Sequence, residues 1–136
     1  MTDTAEPLTP YAQIGGETGT RALVKRFYEL MDTLPETYGI RTLHPADLAG
    51  SEEKLFMFLS GWLGGPQLFI EKFGHPMLRR RHMPFSIGIE EAAQWMICMR
   101  QAMAEQVPDE SLRARLDQAL TELALHMRNR HDAAAN

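Results

Sequence analysis

The chain has 136 residues, of which 44% are hydrophobic and 24% are charged, and this suits a single soluble globular domain. Its formal net charge of −4 gives no overall positive field that would attract nucleic acid or an anionic membrane. The Arg79-Arg80-Arg81 cluster is too short to change that. The lone cysteine allows no intrachain disulfide, the N-terminus lacks the pattern of a secretory signal, and no apolar run reaches the roughly 20 residues of a membrane helix. We therefore expect a cytoplasmic protein.

Both ends of the chain are polar and lack apolar periodicity. We expect residues 1–10 to be a flexible tail, residues 11–130 to form the domain and residues 131–136 to be a second tail. Inside the domain no stretch alternates long enough to predict a strand, and apolar residues recur at intervals of three and four. This pattern predicts an all-α domain with four long helices. Their apolar stripes are Val24, Phe27, Tyr28 and Met31; Leu48, Leu55, Leu59 and Trp62; Ile89, Ala92, Trp95 or Met96, Met99 and Met103; and Leu112, Leu116, Ala119, Leu123 and Met127.

Turn residues mark where these helices begin and end. Gly64-Gly65-Pro66 ends the second helix, and Asp109 after Pro108 is a typical N-cap for the fourth. Residues 73–87 (FGHPMLRRRHMPFSI) contain a glycine and two prolines, and their weak periodicity predicts no stable helix. Such a segment is typical either of a surface connection or of part of a binding site, and composition alone does not separate the two.

His82 is the histidine of most interest among the five in the chain, which show no spacing typical of a zinc site. Met83, Pro84 and Phe85 follow it, and an imidazole held in an apolar wall suits a single protein ligand to haem iron. The alternative is a partly buried histidine bonded to a backbone carbonyl, and spacing alone favours that alternative.

Three further polar groups lie on the predicted apolar stripes. Ser51 either bonds back to its own helix or lines a cavity, and in isolation the first is favoured. Tyr28 would need a buried partner for its hydroxyl, and Trp95 has an N–H that can only donate. Aromatic stripes more often form a core than a cofactor site, so these residues need not share a pocket.

An ordered set of motifs over residues 11–128 adds to this interpretation. Its members are Tyr11, Ile14-Gly15-Gly16, Arg26-Phe27-Tyr28, His44-Pro45, Asp47-Leu48-Ala49-Gly50, Met57-Phe58-Leu59, Gly64-Gly65-Pro66, Gly74-His75-Pro76-Met77-Leu78-Arg79, Arg81-His82-Met83-Pro84-Phe85 and Trp95. Taken together the set resembles the group II truncated haemoglobins.

The resemblance implies a truncated globin, a two-over-two helical sandwich that encloses haem b and binds oxygen and other diatomic ligands. It assigns His82 as the proximal ligand to iron. The remaining assignments are Tyr28, His44, Ser51, Leu55 and Trp95 on the distal side, Lys54, Arg79 and Arg81 near the propionates, and Phe58, Met83, Phe85 and Ile87 along the haem wall. The chain departs from the family pattern at two of these positions. His44 falls where Tyr or Phe is common, and Ser51 falls where alanine is common and leaves room for ligand entry.

These assignments imply a slow release of oxygen, because Tyr28, His44 and Trp95 would all donate hydrogen bonds to the ligand. Slow release suits scavenging, sensing or redox chemistry better than carriage. A peroxidase or nitric oxide dioxygenase would need a separate reductase, since the chain has no domain for one. The alternative from another class is a haem-free helical interaction module that uses its nine methionines to bind a partner helix.

Overall fold

The computed structural model describes residues 8–130, and all regular structure in that range is helical. The predicted all-α class is therefore confirmed. The four predicted long helices are α2, α4, α7 and α8. In chain order the elements are α1 (Pro10–Gln13), α2 (Gly16–Thr33), a 3-10 turn (Pro35–Thr37), α3 (Tyr38–Thr42), α4 (Ala49–Trp62), α5 (Leu68–Phe73), α6 (Leu78–His82), α7 (Ile89–Gln106) and α8 (Glu110–His126).

Helix α2 is the centre of the packing. It contacts both α4 and α7, and α7 also packs against α8, so the four long helices share one core. Leu23, Val24, Phe27 and Met31 form the buried face of α2, and none of them is more than 2% exposed. Each such side chain stabilises the fold by roughly 1.5–3 kcal/mol relative to full exposure.

Capping side chains begin two of the helices. Asp109 Oδ1 accepts a hydrogen bond from the Leu112 amide at 3.1 Å, as predicted for the start of α8. Thr9 Oγ1 accepts one from the Ala12 amide at 3.1 Å, so α1 begins at Pro10, which the sequence had placed in the tail. Residues 1–7 and 131–136 lie outside the described range, and the predictions made for them remain predictions.

The segment predicted to be irregular contains one turn of helix, so the prediction is wrong for Leu78–His82. Met77 precedes this turn in the left-handed region, at φ 44°, and its amide donates to His75 Nδ1 at 3.1 Å. This start depends on local polar contacts rather than on apolar periodicity, which explains why the pattern missed it. The stretches on either side, residues 74–77 and 83–88, have no regular helix or strand.

Two stripe residues also differ from expectation. Ile89 is 47% exposed at the first position of α7, and Leu120 is buried in place of Ala119 on α8. A helix has 3.6 residues per turn, so a stripe built on steps of three and four drifts by a position over several turns. The 3-10 turn and α3 were not predicted, because they are too short to show a period.

No helix in the described part of the chain is long and apolar enough to cross a membrane.

We expect Gly19→Ala to lower the free energy of unfolding by roughly 1–3 kcal/mol, the range typical of overpacking. A Cβ atom at this position of α2 would lie 1.7 Å from the Ile14 carbonyl oxygen, so the backbone must move. Gly50→Ala in α4 is the matched control. Its Cβ would meet nothing within 4 Å, and alanine favours a helix by up to about 1 kcal/mol. Urea unfolding of both variants tests the pair, and equal stabilities would contradict the packing around Gly19.

Candidate functional site

His82 is the last residue of α6, and its ring is anchored in its own helix. Nδ1 lies 2.7 Å from the Leu78 carbonyl oxygen, and a carbonyl can only accept, so Nδ1 must bear the proton. Nε2 then presents a lone pair, and it has no hydrogen-bond partner among residues 8–130. A neutral imidazole whose far nitrogen is fixed in this way has the tautomer that ligates a metal.

His44, just after α3, is held in the same manner, with Nδ1 2.9 Å from the Ile40 carbonyl oxygen. Burial lowers the pKa of His44, and the positive charge of Arg41 lowers it further, so the ring is neutral at pH 7. Its Nε2 is therefore an acceptor. Donation from His44 to a bound ligand stays a prediction, and it would need the other tautomer or a protonated ring.

Three of the predicted distal residues belong to one aromatic cluster. The Tyr28 ring meets the His44 ring edge-on at 5.7 Å between centroids, and it meets the Phe27 ring at 4.8 Å. Phe27 in turn lies 5.0 Å from Trp95. The sequence had assigned Phe27 to the core alone. It is fully buried, and it also connects Tyr28 on α2 with Trp95 on α7.

Tyr28 is buried, with 6% of the residue exposed, and its hydroxyl has no hydrogen-bond partner in the described part of the chain. Burial raises the pKa of Tyr28, so the hydroxyl keeps its proton. Trp95 Nε1 likewise has no partner within residues 8–130. A buried donor left unpaired costs about 1–3 kcal/mol, so such groups indicate a ligand or an ordered water.

Ser51 and Leu55 are half-buried on α4. Within the described range, Ser51 Oγ makes no bond to its own helix, in contrast to Thr20 Oγ1, which donates to the Gly16 carbonyl at 2.8 Å. This arrangement argues against the alternative in which Ser51 bonds back to its helix, and its place along a cavity stays a prediction.

The cations assigned to the propionates are only partly brought together. Lys54 Nζ lies 5.8 Å from the ring centroid of Phe73, and the Arg81 guanidinium lies 5.2 Å from that of Phe69. These two rings are 4.9 Å apart, so Lys54 and Arg81 border one aromatic pair. Arg79 instead donates to the Arg128 carbonyl at 3.3 Å.

The expected haem wall divides into covered and exposed parts. Ile87 is buried and Phe58 is half-buried beside Phe69, but Met83 and Phe85 are 57% and 41% exposed. The exposed large apolar side chains close to His82 in sequence are Ile70, Phe73, Met77, Met83, Phe85 and Ile89. Exposed apolar side chains in the same chain segment as an imidazole lone pair suit a large flat apolar group with a metal at its centre, so the chemistry of these residues fits haem.

Two residues that sequence reasoning missed support the histidines from outside their own helices. Gln94 Oε1 on α7 accepts from the Ile40 amide at 2.7 Å, which holds the turn whose carbonyl orients His44. Asn129 Nδ2 donates to the His82 carbonyl at 3.2 Å. Neither residue lies in a motif or on an apolar stripe, so no signal in one sequence identifies it.

Comparison with known proteins gives a consistent result. Residues 9–129 match the family described as bacterial-like globin. The chain is 40% identical over 124 residues to a group 2 truncated hemoglobin of Bacillus subtilis, covering 91% of each chain. A group II 2-on-2 hemoglobin of Agrobacterium tumefaciens superposes with a TM-score of 0.91 at 48% identity, over 96% of this chain and all of that one. A truncated oxygen-avid haemoglobin of Bacillus subtilis superposes with a TM-score of 0.81 at 39% identity, over 90% and 100% of the two chains.

We expect the stability of the haem-free protein to fall as the pH is lowered through 6.5, the ordinary pKa of histidine. Because His44 has a lowered pKa when folded, the unfolded chain takes up its proton first. The loss begins near pH 6.5 and ends at the pKa of the folded state. His44→Gln should remove this part of the pH dependence, as measured by urea unfolding at a series of pH values. An unchanged slope would show that His44 is not protected from protonation in the folded state.

Proposed function

Since the chain belongs to the bacterial-like globin family, as a group II truncated haemoglobin with the two-over-two helical fold, we propose that it binds haem b through His82. Oxygen or another diatomic ligand would then bind beside Tyr28 and Trp95. The observation that supports this most directly is the His82 ring, whose Nδ1 is fixed on the Leu78 carbonyl while Nε2 faces no protein partner in the described range. We propose haem of the b type because the chain has one cysteine, whereas covalent attachment of c-type haem uses Cys-x-x-Cys-His.

When bound, haem supplies an iron centre with an open position for a diatomic ligand. The distal side chains then differ in what they offer to that ligand. Trp95 Nε1 can only donate, and its proton remains available in every state. The Tyr28 hydroxyl also donates, whereas His44 Nε2 offers a lone pair. We therefore assign ligand stabilisation to Trp95 and Tyr28 together.

Two donors to a partly charged acceptor are worth roughly 1.5–3 kcal/mol each, which slows ligand release by orders of magnitude. Slow release favours oxygen scavenging, or detoxification of nitric oxide or peroxide, over oxygen transport. The similarity to an oxygen-avid haemoglobin from Bacillus subtilis also favours slow release of oxygen.

A redox function needs a separate reductase, and turnover of peroxide or nitric oxide in the presence of a reductant would distinguish an enzyme from a ligand-binding protein.

The first test is the absorption spectrum of the haem-reconstituted protein, both ferric and dithionite-reduced. We expect a Soret band that weakens or shifts in His82→Ala, because the axial nitrogen is removed. His126→Ala is the matched control, since His126 is exposed at the end of α8, and its spectrum should equal that of the wild type. A wild-type protein with no Soret band would refute haem binding and leave the helical interaction module as the leading hypothesis.

The second test separates the distal donors. Trp95→Phe removes the N–H but keeps a ring against Phe27, and we expect the oxygen dissociation rate to rise about tenfold or more. Trp62→Phe is the control, because Trp62 is partly buried against the core on α4 and has no assigned role in the site. Stopped-flow release of oxygen measures both variants. Equal rates in Trp95→Phe and wild type would remove Trp95 from the ligand's hydrogen bonds.

A further inference from the structure

We propose that Asn129 is a positioning residue for the axial histidine, joining the C-terminal end of α8 to the segment that begins at His82. This inference rests on the proposed function, because it assumes that His82 ligates haem iron. Asn129 lies shortly beyond α8, which ends at His126. Its contacts go to backbone atoms of residues 82–87 and not to any side chain assigned to haem, so its effect would act through the position of this segment and of His82.

The side-chain amide of Asn129 forms hydrogen bonds with three backbone groups of residues 82–87. Nδ2 donates to the His82 carbonyl at 3.2 Å and to the Phe85 carbonyl at 2.7 Å. Oδ1 accepts from the Ile87 backbone N–H at 2.9 Å. In addition, the backbone N–H of Asn129 donates to the Ile87 carbonyl at 2.8 Å. Only a side chain with a donor and an acceptor on one planar group can make this set, and the carbonyl partners fix which end is nitrogen.

The segment needs support from outside because its own structure is weak. α6 has five residues, and a single turn of helix is not stable in isolation. Met77 begins it in the left-handed region, and Pro84 after it has no amide proton to give. The His82 carbonyl belongs to the last turn of α6, where carbonyls lack partners within the helix, and Asn129 supplies one.

Neighbouring residues strengthen the same junction without touching His82. Arg130 forms an ion pair with Glu91 at 2.8 Å and donates to Ser86 Oγ at 3.4 Å. Arg79 donates to the Arg128 carbonyl at 3.3 Å. His82 is therefore held at two atoms. Its Nδ1 is held by α6, and its carbonyl accepts from both Asn129 Nδ2 and the Phe85 backbone N–H, which lies 3.0 Å away. Together these bonds set the position and tilt of the ring.

The test compares Asn129→Ala with Asn129→Asp. Alanine loses every side-chain bond, whereas aspartate keeps the acceptor for the Ile87 amide but loses both donors. Arg128→Ala is the matched control, because the Arg128 side chain bonds only the Leu125 carbonyl among the described residues and its own carbonyl is retained. The readouts are the iron–histidine stretching band in the Raman spectrum of the reduced protein, and the rate of haem transfer to an apoglobin acceptor.

We expect both Asn129 variants to shift or broaden the iron–histidine band, with haem loss about tenfold faster in Asn129→Ala and a smaller increase in Asn129→Asp. Arg128→Ala should match the wild type in both readouts. An unchanged band in both Asn129 variants would overturn the proposal, even if thermal unfolding showed a loss of stability, because that result describes a purely structural residue. If Asn129→Ala fails to fold, the band of Asn129→Asp decides. A wild-type protein that binds no haem refutes the proposed function first, and that outcome is visible before any variant is made.

Discussion

The site depends on two hydrogen bonds of the same kind, in which an imidazole Nδ1 donates to the carbonyl four residues earlier. His44 bonds Ile40 in this way and His82 bonds Leu78. Each bond fixes a tautomer and turns the Nε2 lone pair away from its own helix. In the proposed function, one ring becomes the axial ligand to iron, and the other is a distal acceptor whose Nε2 cannot donate while the ring is neutral. The same local geometry thus gives opposite roles, because the two rings lie on different elements.

The core and the distal side are parts of one packing unit. α2 supplies Phe27, which is fully buried, and the next residue, Tyr28, whose hydroxyl has no partner within the described range. Phe27 also touches Trp95 on α7. The donors on two helices are consequently spaced by a core ring rather than by flexible surface contacts. Rigid support of this sort keeps a hydrogen-bond donor at a fixed position, and the packing of the surrounding core offsets the cost of leaving the hydroxyl unpaired.

The long helices were predictable from sequence because each buries a continuous apolar stripe, which gives a period. The short helix that ends in His82 was not, since its start depends on the Met77 backbone and one side-chain contact. The motifs singled out Tyr28, His82 and Trp95 by residue type and order. They could not reveal the tautomer of His44, which is set by a carbonyl, or the contact of Asn129 with His82, which spans 47 residues.

The exposed apolar side chains between residues 70 and 89 have a consequence for the life of the protein in a cell. Met83, Phe85 and their neighbours are exposed to water in the described part of the chain, and haem is the group proposed to bind in this segment. An uncovered face of this kind attracts chaperones, proteases and other copies of the chain. Haem occupies only the folded state and so stabilises it by mass action. The supply of haem, rather than the rate of translation alone, would then set how much of the protein accumulates.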